Sequence, residues 1–267
     1  MIRGDSCLIL DSGRDDFPDL LAWIREHGRP VTVGAAVQYE LRNLATTFLD
    51  PTDVIPHDIG IPNNLPLWSA NALSLISGIS ADPIIERITG ETPRTASFGD
   101  YTIEQLFDVR NILFTDPGSR GSVIHTRFAE LQFLFRDEAL ELHVHTPQNE
   151  ALRFAESVFC FTQLQLTMAN MLGVRTGPYH HHTAAMYLRS ADVGRLDHMH
   201  PSTVYVRPDD DPRGFGVEAR NWEEVADRAA FVLDVATGNI TTGFAKDSFS
   251  ASEKWYLNNL RPFWLPS

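Results

Sequence analysis

Residues 102–124 read TIEQLFDVRNILFTDPGSRGSVI, and this stretch decides the fold class. Ile103, Leu106, Val109 and Leu113 recur at three- and four-residue intervals, which puts them on one face of an amphipathic helix. Asp116-Pro117-Gly118 cannot continue that helix and makes a turn, after which Val123-Ile124 opens a strand. Directly downstream, residues 129–146 alternate in polarity and break at Asp137-Glu138, so they read as two joined strands. Leu140, Leu142 and Val144 face one way; Glu141, His143 and His145 face the other. Residues 154–172 (FAESVFCFTQLQLTMANML) form a helix that is apolar almost all round and ends at Gly173, which predicts a central position.

Working outward, residues 17–27 show helical spacing and stop at Gly28. Residues 31–50 read as strand, or helix then strand, closing at Asp50-Pro51. Residues 67–80 read as a buried helix stopped by Gly78. The last sixty residues suggest a helix near 221–230 and two strands. No repeat or linker appears; Asp209-Asp210-Asp211-Pro212-Arg213-Gly214 is the most loop-like run and is too short to separate two units. The expectation is a single α+β domain over residues 1–267, with helices packed on a mixed sheet.

Composition narrows the function classes. Of 267 residues, 43% are hydrophobic, enough for a sizeable core. No apolar run approaches the roughly 20 residues of a membrane helix. The first residues lack a signal-peptide pattern, so a cytoplasmic protein is expected. The formal net charge of −13, with only 22 basic residues and no basic block, argues against polymeric nucleic acid as a partner. A single nucleotide needs one or two arginines and fits that balance. Cys7 and Cys160 show neither metal-ligand spacing nor a disulfide framework.

Three places together resemble the thymidylate synthase and pyrimidine hydroxymethylase family. The first is Phe98-Gly99, Gln105-Leu106, Val109, Leu113 and Asp116-Pro117-Gly118-Ser119-Arg120, then Val123-Ile124. The second is the strand pair around Gln132-Phe133 and Leu140, the helix Leu164–Ala169, and Gly177. The third is Glu40, Asn43, Asp50-Pro51 and the helix end Ile76-Ser77-Gly78. The resemblance spans about residues 28 to 190. It implies a thymidylate synthase-like fold, a homodimer formed through sheet faces, and a pyrimidine nucleotide or relative as the small-molecule ligand. It assigns Ser119 and Arg120 to that ligand, with Arg120 reaching across the dimer to the phosphate. A guanidinium matches two phosphate oxygens in a fork. The family has two adjacent arginines here, whereas Gly121 follows Arg120. The other reading of Arg120 is a loop arginine paired with a surface carboxylate. Arg29 either matches the family's early phosphate-binding arginine or is a solvent-facing charge in a turn.

The resemblance fails at the chemistry. The family reaction needs a thiolate that adds to C6 of the pyrimidine and activates C5 toward a folate-borne one-carbon unit. Here Val123-Ile124-His125-Thr126-Arg127 runs almost at once into Phe128-Ala129-Glu130, with no cysteine between. The family's Gln-Arg-Ser-x-Asp becomes Thr146-Pro147-Gln148-Asn149-Glu150, its base-reading asparagine falls near Val158, and its His-x-Tyr falls near Met186-Tyr187-Leu188-Arg189. A site built to hydrogen-bond its substrate loses discrimination with those groups. The usual route to dTMP is therefore not expected, no catalytic residue is assigned, and folate enters as a cofactor through the resemblance alone. A non-catalytic dimer with a binding or regulatory role is the second reading.

The histidines offer a third, a metalloenzyme on a reused scaffold. His143 and His145 share a strand face, and His180-His181-His182 follow Gly177-Pro178-Tyr179. His198 and His200 flank Met199. Two imidazoles two residues apart on a strand can meet one ion, and Glu141 or Glu150 could complete a shell for iron, zinc or manganese. His143, His145, His180 and His182 are the candidate ligands. The bland alternative is histidines bonded to backbone or carboxylates, and three consecutive histidines cannot all reach one ion from an extended chain.

Overall fold

The computed structural model of the chain describes residues 2–3, 7–11, 13–55, 64–90, 103–126, 128–196, 221–237 and 249–260. Their strands are β1 (Ile2–Arg3), β2 (Cys7–Leu10), β3 (Arg29–Val33), β4 (Ala36–Phe48), β5 (Val123–His125), β6 (Glu130–Arg136), β7 (Ala139–Thr146), β8 (Asn149–Glu150) and β9 (Arg175–Arg189). Their helices are α1 (Gly13–His27), α2 (Leu65–Ser77), α3 (Asp82–Thr89), α4 (Ile103–Thr115), α5 (Phe154–Leu172), α6 (Val193–Leu196), α7 (Trp222–Thr237) and α8 (Ala251–Leu260). All the strands join one sheet in the order β1-β2-β4-β9-β7-β6-β5, with β3 on β4 and β8 on β9. The sheet is mixed: β9 runs antiparallel to β4 but parallel to β7 and β8. The architecture is α+β, as the sequence predicts.

Two helices are buried nearly throughout. In α2, Asn64 Oδ1 accepts the Leu67 backbone N–H at 3.1 Å and so caps the first turn. Trp68 through Ser77 are all buried, packed among α5, α7 and α8. In α5 every residue from Phe154 to Ala169 is buried, and Gly173 ends the helix in the left-handed region at φ 67°. The buried side chains of β6 and β7, Leu131, Phe133, Leu140, Leu142 and Val144, alternate with residues that stay partly open.

Where β7 meets β9, the ladder shifts between Leu140 and Leu142. Gln165 of α5 repairs the break, its Nε2 donating to the carbonyls of Leu140 (2.8 Å) and Gly177 (2.9 Å). Gly177 is tightly packed: an added Cβ would lie 3.2 Å from Ala139 Cβ and 3.3 Å from the Leu140 carbonyl carbon, so its neighbours would have to give by a few tenths of an ångström.

At the other end of β9 the buried set changes phase. Thr46, Leu44, His181 and Thr183 are buried up to Asn43, which takes φ 54°. Beyond it the inward residues of β9 are Met186 and Leu188, opposite Leu41 and Tyr39. Tyr187 and its neighbour Glu150 on β8 therefore stay half-open.

Residues 31–50 resolve as the β3–β4 hairpin with no helix. Of the final sixty residues, the described parts are α7 and α8 and hold no strand; 238–248 and 261–267 lie outside the described residues. So do Phe98-Gly99, Arg127, residues 209–214, and His198 and His200. Among the described residues no helix is long and apolar enough to cross a membrane.

Candidate functional site

The half-open end of β9 faces the start of α5, and between them lies a cleft of about 190 Å3. Phe128, Phe161 and Tyr187 give it aromatic walls; Thr146, Gln148, Asn149 and Ser157 give it amides and hydroxyls. Glu150, Arg153 and Glu156 supply its charge.

The charges are paired in a fixed pattern. Glu156 is 4% exposed, and its Oε1 accepts from Asn71 Nδ2 of α2 at 2.7 Å. Its Oε2 receives both Nε and Nη2 of Arg153 at 3.2 Å. The Glu156 charge raises the Arg153 pKa above its ordinary value, against the opposing effect of burial. Glu150 is held by Arg189 at 2.8 Å. The carboxylates are thus committed to protein partners, and the Arg153 side chain remains largely exposed at the rim.

Behind the cleft runs a buried polar chain. Tyr179 OH meets His181 Nδ1 at 2.6 Å, and His181 Nε2 meets Thr146 Oγ1 at 3.1 Å. Thr146 Oγ1 also contacts Thr183 Oγ1 at 3.1 Å. Asn149 Nδ2 lies 3.4 Å from His181 Nε2, and Ser157 Oγ donates to Asn149 Oδ1 at 3.5 Å. Burial first, then His145 and His182, hold the His181 pKa down at about 3, so the ring is neutral and can accept at one nitrogen while donating at the other.

No cysteine lines the cleft. Cys160 is fully buried on α5, with its thiol pushed well above the ordinary range by burial, and Cys7 is exposed on β2. Neither is placed to attack a ligand in the cleft.

The sequence candidates fall in three places. Arg120 is exposed and Ser119 half-buried in the turn after α4, and neither lines the cleft of its own chain. Ser119 Oγ accepts the Gly121 N–H at 3.1 Å, and the Arg120 carbonyl accepts from Gln132 Nε2 at 2.8 Å. Arg29 is exposed at the start of β3, opposite Glu40. Val158 is buried and lies off the cleft.

The histidines form two rungs between β7 and β9, His143 opposite His180 and His145 opposite His182. By alternation along β7 they project from the face opposite Thr146, away from the cleft. Among the described residues, only the first rung gains a carboxylate. His143 Nε2 lies 3.1 Å from Glu141 Oε2, and His180 Nε2 lies 3.9 Å from the same oxygen. Glu150 is on the cleft side with Arg189 and does not join them. Sequence reasoning missed Arg153, Glu156 and Asn71; a charged Arg-x-x-Glu at the start of an otherwise apolar helix was the available signal.

Compared with known proteins, the sequence matches no protein-family model, and no curated protein matches it significantly.

Proposed function

We propose that this chain is a thymidylate synthase-like protein of nucleotide metabolism that binds a pyrimidine nucleotide or a relative in the cleft at the start of α5. The observation that carries the reading is the lining itself. Aromatic rings suit the faces of a base, and the amides of Gln148 and Asn149 suit its edge. Arg153 at the rim offers N–H groups to an anion. Residues 146–150 and Tyr187, on which the expected resemblance places family ligand contacts, are among those that line it, although the family's own side chains are replaced there and Val158 lies off it.

Arg120, which does not line its own chain's cleft, fits a contact made to the partner's ligand in a homodimer. The sheet face carrying Glu141, His143 and His180, half-exposed among the described residues, is the surface proposed for pairing. With no thiol lining the cleft, methyl transfer through a C6 thiolate adduct is not part of the proposal. A binding or regulatory role without turnover accords with that, and release of tritium from C5 of a labelled pyrimidine monophosphate would contradict it.

The direct test is thermal unfolding with a panel of nucleoside mono-, di- and triphosphates. A ligand at 100 times its Kd adds about 2.7 kcal/mol to stability, a clear rise in melting temperature. That rise is expected to shrink in Arg153→Ala and, if the dimer forms as proposed, in Arg120→Ala. A wild-type protein whose melting no nucleotide alters would end the reading.

A further inference from the structure

On the other face of the sheet, we propose a site for a divalent first-row transition metal, with zinc as its probe. Its protein ligands are Glu141 and His143 of β7 and His180 of β9. The site needs neither the cleft nor its nucleotide. All three donors come from one chain, so it stands whether or not this face also meets a second copy.

The geometry carries the proposal. The ligand atoms of the three side chains all lie within 4.8 Å of one another. Two of the separations are 3.1 Å and 3.9 Å, both to Glu141 Oε2. Tetrahedral zinc with bonds near 2.0–2.1 Å sets its ligand atoms about 3.4 Å apart. The two separations to Glu141 therefore need to change by only about 0.3 and 0.5 Å, and the third by at most about 1.4 Å, to close the set.

The site is also built beyond its ligands. His180 Nδ1 lies 3.0 Å from Thr47 Oγ1 on β4. Such a bond at one ring nitrogen is the usual way a metal-bound histidine is oriented through the other. In the tautomer that directs the Nδ1 proton to Thr47, His180 Nε2 presents a lone pair on the side of the Glu141 carboxylate. At 3.9 Å the two do not hydrogen-bond. A cation between them turns that opposition into attraction. The His143 and His180 rings stack with centroids 4.2 Å apart and planes 20° apart. The donors ride on β7 and β9, inner strands of the sheet, so their spacing is set by the ladder rather than by a loop.

Two histidines and one carboxylate leave at least one coordination position for water or an anionic ligand, the ligand set of open rather than closed metal sites. The second rung lacks this arrangement. His145 and His182 have centroids 5.4 Å apart and tilted planes, and no carboxylate joins them in a three-residue cluster among the described residues.

The test uses untagged full-length protein, stripped with chelator and titrated with Zn2+ by calorimetry, with the visible spectrum of the Co2+ form as a second readout. One ion per chain is expected, with a micromolar or tighter Kd and the intense d–d bands of a low-symmetry site. Glu141→Gln and His143→Ala should each weaken binding at least tenfold. Glu141→Gln keeps the shape of the side chain and so serves if His143→Ala is poorly folded. A His145→Ala/His182→Ala variant should bind as the wild type does. Absence of saturable binding below about 1 mM would overturn the proposal, as would binding that survives Glu141→Gln or is lost in the second-rung variant.

Discussion

Gln165 shows how much one polar side chain inside an apolar helix can hold. Its amide reaches the Leu140 and Gly177 carbonyls where the β7–β9 ladder slips. Replacing it by leucine keeps roughly the volume but strands buried acceptors, at about 1–3 kcal/mol for each unsatisfied group. Gln165→Leu is expected to lose about 2–4 kcal/mol in urea unfolding; a loss under about 1 kcal/mol would show that water or another group fills the role. This function was hidden in the sequence, where Gln165 sits in an apolar run and reads as a helix-face residue. Asn71 and Glu156 are similar. They meet at 2.7 Å from helices 85 residues apart in the chain, and nothing in either local sequence points to the other. The alternation of Glu141, His143 and His145, by contrast, was legible because a strand's period of two is imposed by the backbone.

The elements divide along the same line. Helices α4 and α5 and the β6–β7 hairpin stand where periodicity puts them, α5 from Phe154 to Leu172. Strand β9 was not legible. Gly177-Pro178 resembles a loop signal, and a buried His181 breaks the apolar alternation that marks a strand; its burial works only because Tyr179 and Thr146 take its two nitrogens. The α7–α8 pair also depends on a distant contact. Arg228 Nε and Nη2 donate to Glu253 Oε1 and Oε2 at 2.7 and 2.9 Å. Burial would raise the Glu253 pKa, but the bonds from Arg228 and Ser250 outweigh it and hold the carboxyl below its ordinary value. A depressed carboxyl pKa stabilises the fold fully above the unfolded value, near 4.3 for glutamate. That contribution fades as pH falls through the folded value. Glu253→Gln is expected to cost about 2 kcal/mol at pH 7 and progressively less below about pH 4, so that the two unfolding profiles converge in acid. Profiles that stay parallel from pH 7 down to about pH 2 would remove Glu253 from the account.

At the scale of the whole molecule, β7 and β9 carry one candidate site on each face of the sheet. The cleft lies on the α5 side, and the Glu141, His143 and His180 cluster lies on the other. Both borrow their precision from β9, whose 15 residues pair with β4, β7 and β8. That dependence has a cost during synthesis. The 13 residues of β4 emerge early, yet their antiparallel neighbour ends at Arg189. Until then β4 has a long edge with unmet backbone donors and acceptors, the kind of edge that recruits other chains. A chain stopped at residue 174 is expected to aggregate, with light scattering rising at micromolar concentration, while one stopped at 196 has the whole described sheet available to close. The ribosome must therefore deliver the chain as far as Arg189 before β4 can be safe from its neighbours.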